Sequence, residues 1–184
     1  MGLLNVTLSL NELRDERRKH SKTVAHVAHT LATKVGLSSG FAYLCGLVHD
    51  IGYSVNYGEG SHNIKGFKLL QRNGIEDAAI VTLFHSRGEE LDKYINGMNY
   101  KKELYEKVKP YIDLISTADS IVNSKGEIVG CNSRLADISY RYGKGSLQAV
   151  VGLKQVNDCK DWFKRYNIEY DAFLNEIRHK QLDK

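Results

Sequence analysis

The sequence has a single proline, Pro110, and three cysteines, Cys45, Cys131 and Cys159. With so little proline, long helices meet few breaks. The cysteines are odd in number and lack CxxC spacing, which argues against a disulfide framework or a cysteine-based zinc knuckle. Because Cys45 lies in an apolar stretch, we predict a buried thiol at that position.

Long apolar runs and clusters of basic residues are also missing. No apolar stretch is long enough to span a bilayer and no signal peptide is recognisable, so the sequence predicts no membrane association and a cytoplasmic location. The formal net charge of the 184-residue chain is +4. Its basic residues are scattered rather than interleaved with aromatics, so there is no specific nucleic-acid signal. This charge suits a phosphate-bearing partner, and the sequence is compatible with a homodimer.

Helical periodicity is the main pattern that is present. Hydrophobic residues make up 42% of the chain, and they recur at three- and four-residue intervals, as between Val24 and Leu31. We predict a single all-α domain over residues 1–184, with about seven or eight helices and little strand. Ser9 and Glu12 predict a capping box before the first long helix, and Gly36 predicts its end.

Several further helix boundaries follow from local signals. A buried helix is predicted from about Ser39, because the segment is apolar on nearly all sides. Ser61 predicts the start of the next helix and Asn73-Gly74 its end. The segment from Asn123 to Gly130 predicts a turn with a short extended piece.

Six histidine and aspartate residues lie on or beside these helices, each with apolar residues one turn away. His85, for example, lies one turn after Val81, so its side chain leans toward the core. Buried polar groups need partners, and a shared metal would satisfy all six, because imidazole and carboxylate are usual ligands of iron, manganese and zinc. The candidate metal ligands are His20, His49, Asp50, His62, His85 and Asp119.

The other histidines serve as internal comparisons. A single histidine at such a position is more often a hydrogen-bonded core residue than a ligand, so the metal hypothesis depends on the six residues together. His26 and His29 lie at the edge of the apolar stripe, and His179 lies in a charged tail. We interpret these three as solvated or structural.

The segments around the candidate ligands carry a more specific signal. Residues 17–21 read R-R-K-H-S, residues 46–52 read G-L-V-H-D-I-G, and residues 117–119 read T-A-D. These motifs resemble the HD-domain superfamily of metal-dependent phosphohydrolases. The order of H-D-I-G-Y, H-x-x-x-G at 62–66, H-S at 85–86 and A-D is most similar to small bacterial members. The resemblance covers about residues 17–143 and leaves 144–184 as a C-terminal helical extension.

The resemblance implies an HD-domain-like helical bundle with the metal site in its core. His20, His49, Asp50 and Asp119 would hold one ion. In similar HD proteins, including bacterial diadenosine tetraphosphate hydrolases, extra histidines hold a second ion, a role that falls here to His62 and His85. Asp50 would bridge the two ions, because a carboxylate has two oxygens. Iron or manganese fits this ligand set best, with zinc, magnesium, nickel or cobalt as substitutes.

The activity implied is hydrolysis of a phosphoester or phosphoanhydride bond by a metal-activated water. The substrate would be a nucleotide or a related small phosphorylated molecule, with Asp50, His62 and His85 as catalytic residues. Four residues beside the ligands are candidates for binding substrate, and arginine in particular suits bidentate phosphate contact. They are Arg17, Lys65, Ser86 and Arg87. For Lys65 a solvated surface role is at least as well supported.

One position departs from the family pattern. Many HD phosphodiesterases have lysine after H-D-I-G, whereas this chain has Tyr53, which could rim a pocket or stack on a base. The glycine-tyrosine-proline extension of cyclic-di-GMP phosphodiesterases is not recognisable. Arg134 and Arg141 are interpreted as structural, pairing with Asp137 or with carboxylates elsewhere. Two other kinds of function stay open: a di-iron oxygenase of the HD-like fold, and a non-catalytic module that senses a nucleotide or binds another protein.

Overall fold

A computed structural model describes residues 2–54, 60–86 and 102–182, and the structural statements below concern these residues. Within them the chain is all-α, as predicted, and the only extended pairing there is an isolated bridge between Val122 and Ile128. A 3₁₀ turn covers Ile51–Tyr53. The helices are α1 (Gly2–Glu12), α2 (Asp15–Lys34), α3 (Ser39–Val48), α4 (His62–Arg72), α5 (Glu76–Phe84), α6 (Lys102–Ser120), α7 (Cys131–Tyr142), α8 (Leu147–Arg165) and α9 (Tyr170–Leu182).

The predicted capping box is wrong. Ser9 and Glu12 both lie inside α1, and a separate helix α2 begins at Asp15. Leu13, between the two helices, is only 4% exposed, and Val6 of α1 is equally buried. Burial of these apolar side chains holds α1 against the bundle as its own helix. The break explains why the described residues contain nine helices instead of seven or eight.

Helix α2 packs along α3 and α6, and α6 also packs on α5. Helix α4 packs on α5 and on the 3₁₀ turn, and α8 packs on α6 and α7. These contacts enclose one continuous apolar core, in which the predicted stripe of Val24 and Leu31 is fully buried beside Leu70 and Ile115. All three cysteines are buried and free, and burial raises the pKa of the Cys45 thiol.

The other predicted boundaries agree with the structure. Helix α2 ends just before Gly36, α3 begins at Ser39, and α4 ends before Asn73. The turn after α6 contains the predicted extended piece, closed by a 2.9 Å hydrogen bond from the Asn123 amide to the Glu127 carbonyl. Of the helices described, none combines the length and hydropathy needed to cross a membrane.

The contact between α2 and α3 depends on the missing side chain of Gly46. A Cβ atom added there would lie 2.6 Å from the Ala25 Cα and 2.8 Å from its backbone nitrogen. We therefore expect Gly46→Ala to destabilise the protein by about 2–3 kcal/mol through overpacking, and to lower the melting temperature by roughly 4–12 °C. Thermal unfolding followed by circular dichroism measures this change.

Gly40→Ala is the matched control for this prediction, because Gly40 lies on the same helix with nothing within 4 Å of an added Cβ. Alanine is the better helix former, so this variant is expected to be neutral or slightly stabilised. Equal melting temperatures for the two variants would contradict the proposed close approach of α2 and α3.

Candidate metal centre

The candidate ligands lie on or directly beside five helices and the 3₁₀ turn, and they meet in the bundle interior. Asp50 follows the end of α3 and opens the 3₁₀ turn. The others are His20 on α2, His49 at the end of α3, His62 at the start of α4, His85 just after α5 and Asp119 near the end of α6. Three overlapping groups of them have ligand atoms within 4.8 Å of one another: His20, His49 and Asp50; His49, His85 and Asp119; Asp50, His62 and His85.

Gly52 lets two of these elements approach each other. A Cβ atom on Gly52 would lie 1.8 Å from the His62 carbonyl oxygen and 2.7 Å from the Gly66 nitrogen. No side chain fits in that space, so glycine is required where the 3₁₀ turn rests on α4. The same approach leaves Asp50 Oδ1 only 3.3 Å from His62 Nε2.

Asp50 is the centre of the cluster. Its Oδ2 lies 3.4 Å from His49 Nε2 and 3.7 Å from His20 Nε2. Its Oδ1 lies 3.3 Å from His62 Nε2 and 3.9 Å from His85 Nε2. Each oxygen of this buried carboxylate therefore faces a different pair of imidazoles.

Backbone carbonyls set the orientation of three of the imidazole rings. The Nδ1 atoms of His20, His49 and His85 lie 2.8, 2.7 and 2.7 Å from the carbonyl oxygens of Asn123, Gly46 and Thr82. A carbonyl only accepts hydrogen bonds, so we assign a ring proton to Nδ1 of each of these three histidines. Each Nε2 then faces the cluster, which is the arrangement of a metal-binding histidine.

Several atoms in the cluster are buried without a hydrogen-bond partner. Among the described residues these include His20 Nε2, His49 Nε2 and Asp119 Oδ1. His20 Nε2 and Asp119 Oδ1 lie 3.0 Å apart. Buried polar atoms without a partner are costly, and a cation bound by these three atoms would satisfy them. This set of ligand atoms therefore fits a divalent metal.

The protonation states also suit metal binding. Burial lowers the pKa of both His62 and His85 to about 4, and it lowers the pKa of His49 as well. Burial alone would raise the pKa of Asp50, but the surrounding His49, His62 and Arg17 hold it well below its ordinary value. At neutral pH His49, His62 and His85 are thus neutral and Asp50 is ionised, the forms that bind metal.

Asn63 supports the site and was missed by the sequence reasoning. This side chain is 2% exposed, and its amide donates to the carbonyls of Thr82 and Leu83 at 3.2 and 3.4 Å and to Ser86 Oγ at 2.9 Å. It ties the start of α4 to the end of α5, where His85 lies. A polar residue on the apolar face of α4, directly after His62, was the available signal.

A cleft of about 250 Å³ opens onto the cluster. Its lining includes Arg17 and Tyr53 as well as Asp50, His62 and Asp119. Arg17 Nη1 lies 2.5 Å from Asp50 Oδ2, and the Arg17 guanidinium lies 4.4 Å from the centre of the Tyr53 ring. The Tyr53 ring stacks on His62 with centroids 4.3 Å apart, so Tyr53 rims this pocket.

The remaining predicted binding residues are placed differently. Ser86 lines the cleft, whereas Lys65 is not among the lining residues. Arg87 lies outside the described residues. Arg134 and Arg141 do pair with Asp137, as interpreted, but both also line the cleft. The three comparison histidines, His26, His29 and His179, are exposed.

The fold and the site together define an all-α protein with a buried histidine and aspartate cluster that could hold a divalent metal. The family model described as HD domain matches residues 17–124. The chain therefore belongs to the HD domain family of metal-dependent phosphohydrolases.

Curated relatives of the chain are bacterial proteins named Ribonuclease Y. The one from Rhodopirellula baltica is 31% identical over 168 residues, which cover 78% of this chain and 29% of that relative. The one from Aquifex aeolicus is 37% identical over 76 residues, covering 41% of this chain and 14% of that protein. The chain thus spans less than a third of these relatives. No solved structure gives a significant match.

Proposed function

We propose that this protein hydrolyses a phosphoester or phosphoanhydride bond of a nucleotide, or of a related small phosphorylated molecule, at a centre of two metal ions. The observation that carries the proposal is the position of Asp50. One of its oxygens faces His20 and His49, and the other faces His62 and His85. A carboxylate placed between two pairs of imidazoles is suited to bridge two ions.

The ligands divide accordingly. His20, His49 and Asp119 would hold the first ion with Asp50 Oδ2, and the second would bind His62, His85 and Asp50 Oδ1. Bound divalent ions supply an acidified water and neutralise phosphate charge. Iron or manganese suits this mixture of imidazole and carboxylate, with zinc, magnesium, nickel or cobalt as substitutes.

The residues of the cleft supply substrate contacts. Arg17 and Ser86 line it beside the ligands, and we assign them to phosphate oxygens. Arginine carries five N–H donors. The hydrogen bond from Arg17 to Asp50 uses one of them and leaves the remaining donors for a phosphate. Asp50, His62 and His85 surround the place where the reacting phosphate would lie.

The size of the cleft favours a small substrate. A volume of about 250 Å³ suits one nucleotide unit rather than a folded nucleic acid. RNA is the second candidate, because the curated relatives are named Ribonuclease Y. A cytoplasmic location, a single domain over residues 1–184 and a homodimer stay predictions from the sequence.

A substrate panel tests the proposal. The purified protein, without metal and with manganese or iron, is incubated with bis(p-nitrophenyl) phosphate, nucleoside mono-, di- and cyclic phosphates, a dinucleoside polyphosphate and a short single-stranded RNA. We expect metal-dependent release of product from small nucleotides, measured by chromatography. Cleavage of the RNA alone would favour the second candidate.

Two other outcomes would contradict hydrolysis. Oxygen consumption without phosphate release would indicate an oxygenase. Tight nucleotide binding with no product under any metal would indicate a sensing module.

A further inference from the structure

Helices α7 and α8 form a part of the cleft wall that carries no candidate metal ligand. One face of α7 carries Arg134, Ile138 and Arg141, because these residues are spaced at i, i+4 and i+7. All three line the cleft, together with Val151 and Gln155 of α8. The wall therefore presents two guanidinium groups beside an apolar strip to whatever enters the cleft.

The two arginines converge on one carboxylate. Asp137 accepts from Arg134 Nη1 at 3.2 Å, and from Arg141 Nε and Nη2 at 3.2 and 2.8 Å. Two guanidinium groups carry ten N–H donors, of which Asp137 takes three. One negative charge between two positive charges leaves this group with a net charge of +1.

Stability gives little reason for this arrangement. The pairs lie at i, i+3 and i, i+4 on one helix, and the Arg141 and Asp137 side chains are each about one third exposed. A partly exposed pair such as Arg141 and Asp137 contributes little to stability. Asp137 thus holds the two guanidinium groups together as one cationic site in the cleft, although these ion pairs add little to the stability of the helix.

This cationic site lies close to the metal centre. Arg134 and Asp119 both line the cleft that opens onto the histidine and aspartate cluster. An anionic group beside a phosphate at the metal centre would therefore meet the arginines of α7.

We propose that Arg134 and Arg141 bind a second phosphate group of the substrate, adjacent to the phosphate that lies at the metal centre. The protein would then select nucleoside diphosphates and longer polyphosphates over monophosphates. The inference rests on the proposed function for the position of the first phosphate. Paired guanidinium groups suit a phosphate because each can make two parallel charge-assisted hydrogen bonds.

Equilibrium binding tests the inference without turnover. Isothermal titration calorimetry on the manganese-loaded protein compares AMP with α,β-methylene-ADP, whose carbon bridge resists hydrolysis. We expect the wild-type protein to bind the diphosphate analogue at least about tenfold more tightly than AMP, as charge-assisted hydrogen bonds allow. Arg134→Gln and Arg141→Gln should each lower this ratio at least about fivefold, with AMP affinity changed by less than about threefold.

Arg18→Gln is the matched control. Arg18 pairs with Asp15 at i, i+3 on α2, as Arg134 does with Asp137, and it does not line the cleft. Its loss removes the same charge and should leave the ratio unchanged. Melting temperatures confirm that the variants fold.

The inference is overturned if the wild-type protein shows no preference for the diphosphate analogue, including no measurable binding of either compound. It is also overturned if the preference persists in both variants. A preference in the wild-type protein that both variants lose, together with no hydrolysis of any substrate in the panel, would reject the proposed function but still support this binding site.

Discussion

Replacing Asp50 by asparagine is expected to remove most of the bound metal and to reduce hydrolysis at least about 100-fold. The substitution keeps the size of the side chain but loses the negative charge that faces four imidazoles at 3.3–3.9 Å. Removing a hydrogen-bond partner of a metal ligand typically lowers metal affinity or activity 10- to 100-fold. Removing the carboxylate that we propose as a direct ligand of both ions should cost at least as much. Metal content by mass spectrometry and manganese titration measure the loss.

Asp77→Asn is the control for that experiment. Asp77 forms an ion pair with Lys107 at 2.6 Å on the surface and takes no part in the cluster. The change in net charge is the same, yet metal content should stay at the wild-type level. Wild-type metal content in Asp50→Asn would refute the central role of this carboxylate.

His62→Asn is expected to reduce the bound metal from two ions to one and to lower hydrolysis at least about 100-fold. His62 and His85 face the Asp50 oxygen that is turned away from His20 and His49. The His62 side chain is 22% exposed whereas His85 is buried, so substitution of His62 disturbs the core less. The remaining ion would stay with His20, His49 and Asp119.

His29→Asn is the matched change, since His29 lies exposed on α2. It should leave both metal content and hydrolysis unchanged. A wild-type protein that saturates at one ion per chain would refute the two-ion centre. Two ions retained in His62→Asn would refute the assignment of His62 as a ligand.

The helices and the candidate ligands could be predicted because their signals are local. The apolar stripe around Val24 and Leu31 predicts a buried helix face from spacing alone, and both residues are fully buried. Polar residues one turn from such a stripe were expected to face the core. His20, His49 and His85 are indeed buried there.

The local signal failed at α1. Ser9 and Glu12 have the spacing of a capping box, but that spacing also occurs inside helices. Whether a helix starts or continues there depends on whether neighbouring apolar side chains find a core. Val6 and Leu13 do so against the rest of the bundle, and α1 forms as a separate helix.

The support of the site depends on contacts between distant segments. The proton on His20 Nδ1 is oriented by the carbonyl of Asn123, which lies 103 residues further along the chain. Asn63 reaches carbonyls at the end of α5 and Ser86. Hydrophobic periodicity does not predict such hydrogen-bond partners, because they depend on how α2, α4 and α5 pack against their neighbours.

Hydrophobic periodicity and short motifs predict the all-α class, the course of most helices and the candidate histidine and aspartate residues, because these patterns act within a few turns of chain. The folded protein is needed to show that the two Asp50 oxygens face different pairs of imidazoles. It also shows that Arg134 and Arg141, which the sequence predicts to be structural, line the cleft. These relations arise where separate helices meet, and their geometry is set by close packing of the core.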